Sequence, residues 1–227
     1  MRDRVAATGV SHDRICVIHN WADGVALRPS PRLTNPSRAE WGLADKFVVG
    51  YSGNFGRVHE FRTLIDAAEG LRALPDVVFL LIGAGAQRRV VEAAAADRGL
   101  SNLMFKPYQP RATLNQSLGA ADVHVVTLRP EFEGLVVPSK FYGVAAVGRP
   151  TIFIGDPDGE IGSIIREADC GICVEEGDVG AMTSAIRRLR DDAPLRETMG
   201  RNARHVFAQR FEKSLAIGAW LTLIEGL

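Results

Sequence analysis

Short apolar runs alternate with segments of helical periodicity from residue 47 to the C-terminus. The runs predict six strands, at 47–52, 77–82, 103–105, 123–127, 151–154 and 171–174. Between them, apolar residues recur every three or four positions, as at Phe61, Leu64 and Ala68, which is typical of helices that cover a sheet. Further helices are predicted at 38–43, 87–98, 111–118, from about Ser139 to 147, and at 160–167, 182–190, 194–209 and 211–224. This alternation predicts a Rossmann-like α/β fold, a doubly wound parallel sheet with helices on both faces.

Glycine turns follow two of the predicted strands. Gly53 and Asn54 lie in the turn after the first strand, where small residues let a phosphate approach the backbone. Gly83 and Gly85 end the second strand. An ordinary tight turn explains either pair equally well. No Gly-Lys-Ser/Thr follows Gly53, which excludes a Walker loop, and the strict dinucleotide fingerprint is missing. An NAD-dependent oxidoreductase therefore ranks low.

The stretch from Glu131 to Pro150 has the pattern of a ligand site. After the fourth strand comes an acidic loop, then a turn whose backbone amides are expected to be free at Gly134, Leu135 and Val136, then a helix from about Ser139. Pro138 suits the start of that helix, since proline has no N–H group to lose there. Helix N-termini attract anions, and a carboxylate suits sugar hydroxyls. The stretch therefore predicts a site for a phosphorylated sugar or a nucleotide-sugar.

Composition narrows the class of protein. The 227 residues include 27 Lys plus Arg and 27 Asp plus Glu, so the net charge is zero. This argues against nucleic-acid binding and against direct recruitment to a membrane by charge, leaving only indirect membrane association. No apolar run has transmembrane length, and the first residues lack a signal-peptide core. With three cysteines in all, a cytoplasmic location is expected.

Two other motifs predict structure rather than chemistry. Cys170 and Cys173 have redox-motif spacing, but they enter an apolar strand instead of starting a helix. The histidines are scattered and form no His-x-x-x-His pair, so neither a metal nor another cofactor is expected.

A family resemblance rests on Glu131-Phe-Glu-Gly-Leu-Val-Val-Pro138 and the helix that ends in Gly148-Arg-Pro150. This stretch resembles the donor-site signature of retaining family-4 glycosyltransferases with the GT-B fold. That family usually has a Glu, seven residues and a second Glu. Glu131 matches the first position, whereas Ser139 occupies the second and Lys140 follows it. The Pro-Ser-Lys variant resembles a branch associated with bacterial capsule, exopolysaccharide and O-antigen assembly.

The resemblance implies roles for named residues. Glu131 would lie near the donor sugar as the catalytic residue, and the amides of Gly134, Leu135 and Val136 would hold the diphosphate. Ser139 would replace a ribose-binding carboxylate with one hydrogen bond, and Lys140 would contact phosphate. The family often has an Arg and a Lys after the first glycine turn; here Asn54 and Val58 or His59 stand there, so Arg57 is the candidate cation. Gly83, Gly85, Pro107 and Tyr108 would frame the base, and Tyr108 is equally well explained as a half-buried aromatic residue.

The resemblance also implies a division of the chain. Residues 1–25, with a strand at 15–18 and a crossover at 19–23, would be the end of a preceding domain. Residues 26–46 have linker composition, 47–210 would form the nucleotide-sugar-binding domain, and 211–227 would return toward the preceding domain. The acceptor-binding half of a GT-B enzyme is absent from these residues. A separate chain or self-association through exposed apolar surface would then complete it.

Two functions are carried forward. The first is the donor-binding domain of a hexosyltransferase-type enzyme that uses a nucleotide-diphosphate sugar without a metal and transfers the sugar to a glycan or lipid-linked acceptor. The second is a module that binds a nucleotide-sugar or a partner without turnover, which the serine at 139 and the missing half favour.

Overall fold

The computed structural model describes residues 1–226, and its centre is a six-stranded parallel sheet. The strands are β1 (Phe47–Ser52), β2 (Val77–Ile82), β3 (Leu103–Lys106), β4 (Val123–Thr127), β5 (Thr151–Ile154) and β6 (Gly171–Val174). Their order is β3-β2-β1-β4-β5-β6, and every neighbouring pair is parallel. The predicted doubly wound fold is confirmed, and each of the six strands predicted from residue 47 onward is present to within one residue.

Ten helices accompany the sheet in the described residues. They are α1 (Arg2–Ala6), α2 (Pro36–Glu40), α3 (Arg62–Gly70), α4 (Arg88–Asp97), α5 (Leu114–Gly119), α6 (Lys140–Ala146), α7 (Glu160–Ala168), α8 (Val179–Asp191), α9 (Ala193–Arg210) and α10 (Lys213–Glu225). The helix predicted at 111–118 is a 3-10 turn, Arg111–Thr113, followed by α5. The helix predicted at 38–43 begins earlier, because the Asn35 side chain accepts a hydrogen bond from the Arg38 N–H and Pro36 occupies the first turn.

The sheet is buried on both faces, as the nearly continuous apolar strands require. Leu64 of α3 and Ile186 of α8 pack with Val49 and Tyr51 of β1 on one side. A second apolar cluster joins α6 and α9 to β4 and β5, and its aromatic members are Phe141, Tyr142, Phe153, Phe207 and Phe211. The two layers of helices hold the strand ends in place, and loops at those ends are free to form a site.

The strand predicted at 15–18 is wrong. Those residues have no regular structure, and Val17 is 53% exposed. The strands at the two edges of the sheet, β3 and β6, lie elsewhere, so the four apolar residues have no neighbouring strand in the part of the chain described. Pairing nearby is limited to an isolated bridge between Ala22 and Glu212.

The segment before β1 is tied to the sheet by a buried ion pair. Arg38 is 2% exposed and its Nη1 lies 3.1 Å from the Asp122 carboxylate just before β4. Arg38 also donates to the carbonyl oxygens of Ala120 and Leu43. The division of the chain at residues 25, 46 and 210 stays a prediction.

At the C-terminal end, α10 leaves an apolar face exposed. Ile217, Trp220, Leu221 and Ile224 follow helical spacing, and each is more than 40% exposed. None of the helices within residues 1–226 combines the length and the apolar character needed to cross a bilayer.

Candidate functional site

The carboxyl ends of β1 and β4 meet at the point where the strand order reverses, since β2 lies on one side of β1 and β4 on the other. In open α/β sheets this is the place where ligands bind. Three hydrogen bonds join the two loops that leave it. His59 Nδ1 lies 2.7 Å from the Thr127 carbonyl oxygen, the Glu60 N–H donates to Thr127 Oγ1, and the Arg129 N–H donates to the Val58 carbonyl. The β1–α3 loop and the loop after β4 therefore form one surface.

The two glycine turns pack backbone against backbone. Gly53 has φ of +146° and Gly83 has φ of +138°, which disfavour any side chain. A Cβ atom on Gly83 would overlap the Gly53 carbonyl oxygen, and one on Gly85 would meet the side chain of Asn54. The predicted residues Gly53, Asn54, Gly83 and Gly85 thus lie together at this edge of the sheet.

Lys140, the first residue of α6, extends into the same place. Its Nζ lies 2.9 Å from His59 Nε2 and 4.9 Å from the centre of the Tyr51 ring. Its Cε would be 2.9 Å from a Cβ on Gly53, so the side chain runs along the turn that glycine forms. No carboxylate pairs with Lys140 among residues 1–226. An ammonium group without a counter-ion therefore stands beside the glycine turn.

Burial governs the protonation of these groups. It lowers the pKa of Lys140 to about 7, because the charged form loses water and gains no carboxylate. It also lowers the pKa of His59 to about 4, with the Lys140 charge acting in the same direction. The phenol of Tyr51 donates to the Asn54 carbonyl at 2.6 Å, and burial raises its pKa. At neutral pH the site contains one titrating cation held between neutral groups.

The loop after β4 differs from the expected one. The amides of Gly134, Leu135 and Val136 are not free: the first donates to the Glu133 carboxylate, and the other two donate to the Phe132 carbonyl. A 3-10 turn at Pro130–Phe132 continues into a tight turn, and local acceptors in it satisfy these donors. The expectation of free amides was wrong, and the charged group beside the glycine turn is the Lys140 ammonium, which has no counter-ion in the described residues.

Glu131 lies in that 3-10 turn, exposed and without a hydrogen bond in the described residues. Glu176, just after β6, has its pKa raised, first by burial and then by repulsion from Glu60 and Glu131, while Arg129 opposes the rise. These groups are therefore close enough to interact electrostatically. Carboxylates and Arg129 thus gather on the side of the site formed by the loops after β4 and β6.

The residues expected to frame a base also come together. Tyr108 is 54% exposed, and its hydroxyl lies 3.4 Å from the Ala84 carbonyl between the two glycines of the second turn. The Pro107 carbonyl accepts a hydrogen bond from the Gln109 side chain. An exposed aromatic ring held at a strand end can stack on a planar ligand.

Ser139 and Arg57 are exposed at this edge. Ser139 precedes α6, and its hydroxyl makes no capping hydrogen bond. Arg57 forms no ion pair or hydrogen bond within residues 1–226, so the described contacts give it no fixed direction. Of the two cations considered for the site, Lys140 is the one that the fold holds in position.

Comparison with known proteins agrees with this architecture. The family model described as glycosyl transferases group 1 matches residues 34–206, from before β1 into α9. The chain belongs to this family.

This group 1 chain is 31% identical over 206 residues to the lipopolysaccharide core biosynthesis glycosyltransferase LpsD of Rhizobium meliloti, covering 90% of the chain and 56% of that protein. It spans about half the length of the curated relatives it matches.

HepE from Anabaena, solved with UDP and glucose, has a TM-score of 0.84 at 20% identity, over 100% of this chain and 61% of that one. The C-terminal domain of LpcC from Francisella tularensis has a TM-score of 0.68 at 18% identity, over 85% and 99% of the two chains. Both likenesses support the Rossmann-like α/β fold described above.

Several residues of this candidate site were not predicted from the sequence. His59 was noted only as one of the residues that stand where the family often has a cation, and Tyr51 was assigned to a strand. Neither Arg129 nor Glu176 was considered. Their position along the chain could have indicated them, because each of these residues lies at or just after the carboxyl end of a predicted strand. No role was predicted for Glu133, whose carboxylate accepts hydrogen bonds from the Gly134 and Glu160 amides.

The motifs expected to be structural lie away from this edge. Cys170 is fully buried, which raises the pKa of its thiol to about 12. His124 is buried in β4 with Nε2 2.9 Å from the Leu118 carbonyl. No three His, Cys, Asp or Glu side chains in the described residues come together in a way that could hold a metal ion.

Proposed function

We propose that the chain is the donor-binding domain of a retaining, family-4 type glycosyltransferase. It binds a nucleotide-diphosphate sugar, and a separate acceptor-binding unit completes the active site. The single observation that carries this proposal is the Lys140 ammonium, unpaired with any carboxylate, beside the Gly53 turn at the switch point of the sheet. A partly buried cation with no counter-ion destabilises the fold unless an anion binds to it.

In this proposal the diphosphate lies between the Gly53 turn and Lys140. The base extends toward Gly83, Gly85 and Tyr108, where an exposed ring can stack on it. The sugar extends toward Glu131 and the loop after β4. This direction places the phosphates beside the cation and the sugar beside the carboxylates, which matches the charge of each part of the donor.

Catalysis then depends on orientation and on charge stabilisation. The bond between the sugar and the diphosphate breaks with negative charge developing on the leaving phosphate, and Lys140 stabilises that charge in a partly dehydrated place. Glu131 would contact the sugar on the other side. Because a protein cation fills this role, we expect transfer to proceed in the presence of EDTA.

The names of relatives support the substrate class. HepE has been solved with UDP-glucose, and LpsD is named for lipopolysaccharide core biosynthesis. By analogy, the acceptor of this chain would be a growing bacterial glycan or lipid-linked glycan in the cytoplasm.

Calorimetric titration of the chain with UDP-sugars and GDP-sugars tests the binding step. We expect one class of donor to bind and Lys140→Met to abolish or strongly weaken that binding. Binding with unchanged affinity in Lys140→Met would remove the observation on which the proposal rests. With an acceptor-binding unit present, proton NMR of the product anomer tests retention, and a donor that binds without ever being turned over would indicate a binding module.

A further inference from the structure

The His59 ring has a single protonation state that fits its neighbours. His59 is 6% exposed, with Nδ1 2.7 Å from the Thr127 carbonyl and Nε2 2.9 Å from Lys140 Nζ. A backbone carbonyl can only accept, so Nδ1 carries the hydrogen. Nε2 then has a lone pair and accepts a hydrogen bond from the Lys140 ammonium. The ring is a neutral bridge from the end of β4 to the first residue of α6.

His59 remains in that state across the physiological range. Burial lowers its pKa to about 4, and the nearby Lys140 charge adds to the effect. A protonated ring would present an N–H group to an ammonium, with both groups positively charged. The contact therefore requires neutral His59, and the Thr127 carbonyl fixes the tautomer that provides it.

A neutral acceptor orients a lysine without cancelling its charge. From β1, the titratable group that faces Lys140 is Tyr51, which donates its own proton to Asn54 and stays uncharged. From the β1–α3 loop it is His59. Glu60, the next carboxylate in that loop, accepts the Thr63 N–H at the start of α3 instead. A carboxylate in place of His59 would hold the ammonium equally well but would repel a diphosphate.

We propose that His59 is a positioning residue: it directs the Lys140 ammonium toward the Gly53 turn and leaves its charge available, so that binding of a nucleotide-diphosphate sugar takes up a proton at Lys140 above neutral pH. This inference rests on the proposed function of the site. The proton comes from the solvent and joins the free amine of Lys140, and the diphosphate supplies the missing counter-charge. The direction of the Lys140 pKa agrees, since a lysine that is partly neutral in the free protein must be protonated to pair with phosphate.

Proton uptake is measurable on the unmodified chain. Titration with the nucleotide-sugar that binds, in buffers of different ionisation enthalpy, counts protons per ligand. A nucleotide-sugar is the right probe because its diphosphate does not titrate near neutral pH. We expect close to one proton at pH 8 and roughly a tenth of one at pH 6. No uptake at pH 8 would overturn the coupling.

Two variants separate positioning from packing. In His59→Leu the acceptor is lost, and we expect about tenfold weaker donor binding, with the Lys140 titration, followed by NMR of its labelled side chain, moved to lower pH. In His59→Gln an uncharged acceptor remains, and most of the affinity and of the Lys140 titration should return. A His59→Leu protein that is less stable but keeps both the Lys140 titration midpoint and the donor affinity would show that His59 is only structural.

The test also separates this inference from the function on which it rests. The Lys140 titration is recorded without ligand, so it reports the His59 contact even if no nucleotide-sugar binds. A His59-dependent titration together with no donor binding would contradict the proposed function and keep the positioning role. If the donor binds but the Lys140 titration is the same with and without His59, the proposed function would stand and the positioning role would be contradicted.

Discussion

Glu133 Oε1 accepts a hydrogen bond from the backbone N–H of Glu160 at 3.1 Å and thereby ties the loop after β4 to the first turn of α7. The same oxygen accepts the Gly134 N–H at 3.2 Å. Glu131, two residues earlier, is exposed and makes no such contact within the described residues. Two nearby glutamates therefore have separable roles, one in holding the loop and one facing the proposed sugar site.

The pair Glu133→Ala and Glu131→Ala tests this separation. Glu133→Ala should lower the free energy of unfolding by about 1 kcal/mol, the usual cost of losing a helix-capping side chain. Glu131→Ala should leave the unfolding free energy unchanged and lower transfer in a protein that includes the acceptor-binding unit. Urea denaturation and a transfer assay on both variants give the result, and the reverse pattern would contradict the assignment.

Lys140→Met should make the chain more stable and less able to bind its donor. The pKa of Lys140 is lowered from 10.5 to about 7 in the folded chain. Between these values the unfolded chain holds a proton that the folded chain does not, so stability rises with pH across this window. The variant removes that slope. At pH 7 its free energy of unfolding should be higher by up to about 4 kcal/mol, since each pKa unit corresponds to about 1.4 kcal/mol.

Arg57→Met is the matched control for Lys140→Met. Arg57 is an exposed cation near the same turn, so its loss should change neither stability nor the pH slope. Donor affinity should fall by about tenfold to a hundredfold in Lys140→Met, as expected when a charge-assisted hydrogen bond is lost. If Arg57→Met lost more donor affinity than Lys140→Met, the phosphate contact would belong to Arg57, which would contradict the proposed role of Lys140.

Asp122→Ala should be strongly destabilising, although Asp122 lies just before β4, at the end of the strands away from the candidate site. Asp122 accepts from Arg38 and from the Val48 N–H at 2.8 Å, and its removal leaves a buried guanidinium without its counter-ion. The expected cost is about 3–5 kcal/mol. Asp66→Ala removes a surface pairing with Arg98 and should cost less than about 1 kcal/mol. Equal effects in thermal denaturation would contradict the view that Arg38 and Asp122 anchor the segment before β1.

The exposed face of α10 should make the chain self-associate. Trp220 is 46% exposed and Ile224 is 61% exposed, one helical turn apart. Sedimentation velocity should show association that increases with concentration, and the double variant Trp220→Glu/Ile224→Glu should be monomeric with unchanged donor affinity. A wild-type chain that stays monomeric at every concentration would contradict this prediction.

The strands were predictable because each is a short apolar run that ends at a turn signal, and a parallel sheet buries both faces of such runs. The same reasoning failed at residues 15–18, where the run has the right composition but no neighbouring strand. Composition reports how apolar a segment is, whereas a strand also needs a hydrogen-bonding partner.

The chemistry of the site was only partly predictable. Gly53 was predicted from a local turn pattern and Lys140 from the family resemblance. The contact of His59 with Lys140 was not predicted, because it joins residues 81 apart in sequence. That contact exists because β1 and β4 are neighbours across the switch point, which no local pattern reports. The Gly134–Val136 amides were misjudged for the opposite reason, since a local turn satisfied them.

The most direct test of the central claim is a two-dimensional ¹H–¹⁵N NMR titration of the chain with the nucleotide-sugar that binds. We expect the largest shifts at the amides of Gly53, Asn54 and Lys140, with smaller shifts near Tyr108. The control region is the arginine-lined cavity of about 400 Å³ beside Gly148 and Arg149, which lies before the start of β5. Shifts confined to that cavity, with none at the Gly53 turn, would contradict the account.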